Sequence, residues 1–145
     1  MKNTTSLSRL LRATALTFAL SSMASAHHSF AMFDSSKSLT LQGTVRSFEF
    51  TYPHSWLWID VPDGKGGSEA WGFENAGPAE LNRIGGWTRT SVKLGDKVTV
   101  KFCQLKSGKH GGVFSSVTLS DGRVLAGQAS ACAPNLTPAE VGAAR

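Results

Sequence analysis

Trp56-Leu-Trp-Ile-Asp-Val61, Pro62-Asp-Gly-Lys-Gly-Gly67, Ala70-Trp-Gly-Phe-Glu74 and Gly77-Pro-Ala-Glu-Leu-Asn-Arg-Ile-Gly85 follow one another in a single run. The first and third pieces alternate, as strands do, and the second is a glycine-rich turn, so the three together read as a hairpin. The fourth changes period. Pro78 suits a first helical position, Gly85 suits the residue past the end, and Leu81 and Ile84 form a stripe at i and i+3. Trp56, Trp58 and Asp60 share one face of their strand, and Leu57, Ile59 and Val61 share the other. Leu57 and Ile59 are the natural inner pair. The opposite assignment, with both tryptophans in the core, stays open, and tryptophan burial decides between them.

Working outward, Leu39-Thr-Leu-Gln-Gly-Thr-Val45 alternates and Phe48 and Phe50 continue on the opposite parity. One extra residue between Val45 and Phe48 reconciles the two, which predicts a bulge or bend within 43–47. Tyr52-Pro53-His54 breaks the strand. Lys97 to Phe102 alternates with Val98, Val100 and Phe102 inward, and Val113 to Leu119 reads as a fifth strand with Val113, Ser115, Val117 and Leu119 on one face. Three strands, a short helix, then two strands, with a bent first strand, is the order of a small five-stranded OB-like barrel, an all-β fold with one helix between strands 3 and 4. A small antiparallel sandwich is the alternative. The barrel is placed at residues 39–125, after an arm at 27–38 and before a flexible tail at 126–145, rich in Ala, Gly and Pro.

Residues 1–26 read as a Sec-type signal peptide. Lys2, Arg9 and Arg12 precede an apolar stretch too short to span a bilayer, and Ala24-x-Ala26 gives the cleavage site. A cut after Ala24 is the alternative. Removing residues 1–26 leaves 119 residues, enough for one domain with a real core. It also leaves 12 basic against 10 acidic residues, a charge of +2 in place of +5. Much of the basic excess therefore belongs to the leader, and a nucleic-acid partner is not expected. The predicted location is periplasmic or secreted, with no membrane span in the mature form. In that compartment Cys103 and Cys132 are expected to form a disulfide; the alternative is a buried free Cys103 and an unpaired Cys132.

A cut after Ala26 makes His27 the first residue, so that an amine and two imidazoles, His27 and His28, share one short arm. His54 lies in the turn between strands 1 and 2, and His110 in the turn between strands 4 and 5. Those turns lie at one end of an OB-like barrel, which places His54 and His110 as potential neighbours. Imidazoles with the thioether of Met32 suit copper. His27 would chelate through amine and ring, His54 would oppose it, and Asp34, Glu49 or Glu74 would orient a ring nitrogen. Each residue also has an ordinary reading: a solvated arm, a capping turn residue, a loop tip, a core methionine. No paired CxxC zinc pattern, nucleophile elbow or phosphate loop is present. An alternative to copper is a metal-free module in which Trp56, Trp58 and Trp87 hold a small apolar ligand or an envelope protein. Whether the chain is an enzyme stays open, with the balance against it: a hydrolytic activity would rest on scattered acids alone, while a bound copper would also allow oxidative chemistry.

His27-His28-Ser29-Phe30, Phe33-Asp34, Gly43-Thr44-Val45, Pro53-His54-x-Trp56, Trp71-x-Phe73-Glu74, Gly86-Trp87-Thr88 and Gly95-Asp96-Lys97-Val98 together resemble a family of small secreted, mainly proteobacterial proteins classed as a domain of unknown function. The likeness runs from about His27 to Val124. It implies a secreted, single-domain β-protein without an assigned activity. Members usually read Asn-Pro-His where this chain has Tyr52-Pro53-His54, and His110 stands outside the shared pattern.

Overall fold

Leu57 and Ile59 are fully buried in the computed structural model, and Trp56 and Trp58 lie half-buried on the opposite face. The structure describes residues 30–128 and Cys132; residues 1–29, which hold the expected signal peptide, His27 and His28, and the remainder of the expected tail lie outside the described residues. In chain order the strands are β1 (Leu39–Glu49), β2 (Ser55–Pro62), β3 (Ser68–Asn75), β4 (Lys97–Gln104), β5 (Gly111–Leu119) and β6 (Val124–Ala126), with helix α1 (Pro78–Gly85) between β3 and β4. The sheet order is β3-β2-β1-β4-β5-β6, and β3 also pairs with β5. That last pairing is parallel, covers Gly72 to Glu74 against Gly111 to Val113, and closes a five-stranded OB-like barrel.

β1 serves both sides of the barrel by bending. Leu39 to Thr44 pair with β4, and Thr44 to Glu49 pair with β2. The register shifts between Val45 and Ser47, so Arg46 is the extra residue and Phe48 returns to the inside. The Gly95–Asp96 turn covers this bulge. The Val45 N–H donates to the Asp96 carbonyl at 2.8 Å, and the Gly95 N–H donates back to Val45 at 2.9 Å. Gly43 sits at the bend because a Cβ there would meet the Asp60 carbonyl at 2.7 Å.

The core gathers Val45, Leu57, Ile59, Phe73, Leu81, Trp87, Val98, Val100, Phe102, Phe114 and Val117. Fully burying each aliphatic or phenylalanine side chain of this kind contributes about 1.5–3 kcal/mol. Leu81 brings α1 beneath the barrel, with Ile84 partly buried beside it. The helix runs one residue further than the sequence reading. Gly85 is helical, and Gly86 takes the left-handed conformation at φ 66° with its N–H on the Asn82 carbonyl.

Two expectations are corrected. In β5 the alternation breaks at Ser115, where a second bulge opposes the Lys101–Phe102 step of β4. Phe114 and Val117 are therefore both inside, while Val113 faces a separate cluster with Phe33, Cys103 and Cys132. Packing also continues past residue 125. The Trp87 indole N–H donates to the Ala126 carbonyl at 2.7 Å, the Gly127 N–H to Ser115 at 2.7 Å and the Gln128 N–H to the Asn75 side chain at 3.2 Å. Small residues allow this docking, since a Cβ on Gly127 would strike Phe114.

Cys103 and Cys132 are joined by a disulfide with Cα atoms 5.5 Å apart. Beside it Phe33 is buried, and the Asp34 N–H donates to the Gln104 carbonyl at 2.8 Å. The bridge spans 29 residues, for which the chain-entropy account gives a stabilisation of about 3.6 kcal/mol. Replacing both cysteines by serine should lower stability by that order. Urea unfolding of the oxidised protein and the double variant measures the difference, and equal midpoints would mean that hydrogen bonds alone hold the tail.

Candidate functional site

Cross-strand register builds the outer face of β1, β2 and β3 row by row. Glu49 lies opposite Trp56, and Trp56 opposite Glu74. In the next row Ser47 lies opposite Trp58, and Trp58 opposite Gly72. Beyond these, Asp60 is held by Arg46 at 2.7 Å. Trp56 and Trp58 run nearly parallel, with centroids 5.8 Å apart and planes 17° apart. The six-membered ring of Trp58 covers Gly72, where a Cβ would meet ring carbons at 2.5–2.9 Å. Glycine at 72 is thus the seat of the second tryptophan.

His54 enters this face from the turn before β2. Its Nδ1 pairs with Oε1 of Glu74, both side chains being partly exposed. With Nδ1–H donating to the carboxylate, the neutral ring carries its lone pair on Nε2. This is how histidines that bind metals are usually oriented. Of the three acids named from sequence, Glu74 is the one at the ring. Asp34 accepts instead from the Ser36 backbone N–H at 3.1 Å and hydroxyl at 2.5 Å, and the hydroxyl bond above all holds its carboxyl below the usual carboxylate value. Glu49 is exposed and has no ion-pair partner among the described residues.

The other candidates separate. His110 stacks on Trp71 at 4.6 Å and 11°, with Nδ1 3.6 Å from Glu69. Trp71 and Glu74 have opposite parity on β3, so His54 and His110 pack against side chains on opposite faces of that strand. The two imidazoles do not form one site, which corrects the expectation drawn from the two turns. Among the described residues no three His, Cys, Asp or Glu converge to hold a metal. Met32 closes the 3-10 turn Phe30–Met32 and is 51% exposed, so it is not a core methionine. Trp87 is completely buried with its indole N–H on Ala126, which removes it from any ligand-stacking surface.

A family model described as a family of unknown function, DUF6152, matches residues 16–115. The chain belongs to that family. No curated protein and no solved structure matches the chain. The DUF6152 match takes in His54, Trp56, Trp58, Glu74 and His110 together with Cys103, and ends before Cys132 and the segment that caps Trp87.

Sequence reasoning placed Trp56, Trp58 and His54 on candidate surfaces. It did not find the glycine seat or the choice of Glu74, because both depend on register. Gly72→Ala should unseat the Trp58 ring at a cost of about 1–3 kcal/mol, the range for adding a methyl to a packed site. Near-ultraviolet circular dichroism and the tryptophan emission maximum report the move, and unchanged spectra would show that the ring is not seated there.

Proposed function

We propose that this protein is a secreted or periplasmic metal-binding protein that takes copper, with His54 as the imidazole ligand on the barrel. The observation that carries the reading is the Glu74 carboxylate on Nδ1 of His54. It supports the reading because a carboxylate on one ring nitrogen is the usual orienting partner of a histidine that coordinates through the other. The exposed thioether of Met32, a soft donor of the kind that favours reduced copper, is the alternative to His28 as auxiliary ligand. The remaining ligands are proposed from the sequence. Cleavage after Ala26 frees the His27 amine, which chelates together with its own ring, and His28 serves as an auxiliary donor. The role is binding or delivery in the cell envelope.

The amine gives the site a definite pH dependence. A terminal amine has a reference pKa of about 7.7–8.0, and it must lose its proton to ligate. Copper affinity should therefore fall as pH drops below that range. The deciding comparison is copper affinity, by competition titration, of protein beginning at His27 and protein carrying one extra N-terminal residue. The extended form should bind about tenfold more weakly or worse, as should Glu74→Gln, the range for loss of an orienting partner being about 10–100-fold. Equal affinities for the two N-termini would sink the chelate, and an unaffected Glu74→Gln would remove His54 from it.

A further inference from the structure

The metal reading leaves most of the β1–β3 outer face unused. There Trp56 is bracketed by two carboxylates, Glu49 on one neighbouring strand and Glu74 on the other. Strands lie about 4.8 Å apart, so the two acids flank the indole at roughly 10 Å from backbone to backbone. Trp58 stacks against Trp56 along β2, with ring centroids 5.8 Å apart. Glu49 has no counter-ion among the described residues, whereas Asp60 is already neutralised by Arg46. An indole face carries the negative end of a quadrupole, and carboxylates on either side reinforce it.

This charge pattern selects among ligands for an OB-like face. A phosphate backbone would meet two carboxylates and no unpaired cation in these rows. A neutral apolar ligand would use the rings but would leave Glu49 without a role. A bare metal cation would prefer its water to an aromatic face. A cation with apolar substituents satisfies all three groups: weakly hydrated, it rests on the ring while the acids balance its charge. From this we infer that the outer face binds a small alkylated ammonium compound, seated on Trp56 between Glu49 and Glu74. The site is separate from copper binding at Glu49 and Trp58, and touches it only at Glu74.

Choline and its neutral carbon isostere 3,3-dimethylbutan-1-ol provide the test, titrated into the processed full-length protein and followed by calorimetry and tryptophan fluorescence. Choline should bind saturably, about tenfold more tightly than the isostere, which is the size of a partly desolvated cation–π contact. Added salt should weaken it. Glu49→Gln, an exposed position, should weaken choline several-fold while copper affinity stays unchanged, and Trp56→Leu should abolish choline binding with the melting temperature checked alongside. Equal affinity for the two probes would make the face merely apolar and overturn the inference. So would an unaffected Glu49→Gln, or saturable binding of cellobiose in place of choline. Loss of copper binding alone, by a variant N-terminus, would leave the choline result standing and so separates this inference from the metal reading.

Discussion

Three residues of parallel pairing between β3 and β5 hold the barrel shut, and the close approach depends on β5 entering the seam through two glycines, Gly111 and Gly112. Gly72 faces Gly111, and Phe73 faces Gly112. A side chain on Gly111 would meet the Gly72 carbonyl at 2.5 Å, and one on Gly112 would strike the Cys103 carbonyl. Closure lets Phe73 and Phe102 meet at 4.8 Å in the interior, in an edge-on arrangement. It also completes the partners of β5, whose first half pairs with β3 and whose second half pairs with β6. An exposed strand edge, the usual hazard of short strands, is thereby covered along that element.

What could be read from the sequence follows the range over which each signal acts. The alternation of Trp56 to Val61, the turn glycines and the Pro78–Gly86 helix are local, and the fold follows from their order. The bulge at Arg46 was legible too, because Val45 and Phe48 cannot share a face without it. The bulge at Ser115 left no such trace: Val113, Ser115 and Val117 alternate perfectly, and only pairing with Lys101 and Phe102 reveals the break. Docking of Ala126 to Gln128 was hidden for another reason. Its stabilising contacts are backbone hydrogen bonds to Trp87, Ser115 and Asn75, which composition does not report. Burial of Trp87 was hidden likewise, since the carbonyl that satisfies its indole N–H lies 39 residues away in sequence.

The candidate site divides along the same line. His54 and Trp56 were visible as residue types in suitable places. Their partners were not, since Glu74 reaches both only through the antiparallel register of β2 and β3. Glu74 is consequently shared between an imidazole and an aromatic row. Occupation of His54 Nε2 by a cation would place positive charge beside the acid that flanks Trp56, so the two halves of the face are electrostatically linked. His110, by contrast, is committed to Trp71 and to the barrel seam, where its carbonyl accepts the Gly72 N–H.

Phe33 and Cys132 are packed in the same small cluster, on the outside of the strands that Cys103 and Val113 supply. The described chain thus enters and leaves at one spot, stapled there by a covalent bond, while the Asp63–Gly67 turn at the tip of the β2–β3 hairpin is exposed. Topologically the domain is nearly a ring. A short loop joining the residues around 33 and 132 would close it, and new ends opened at Gly64 would leave the seam, the core and the tryptophan face in place.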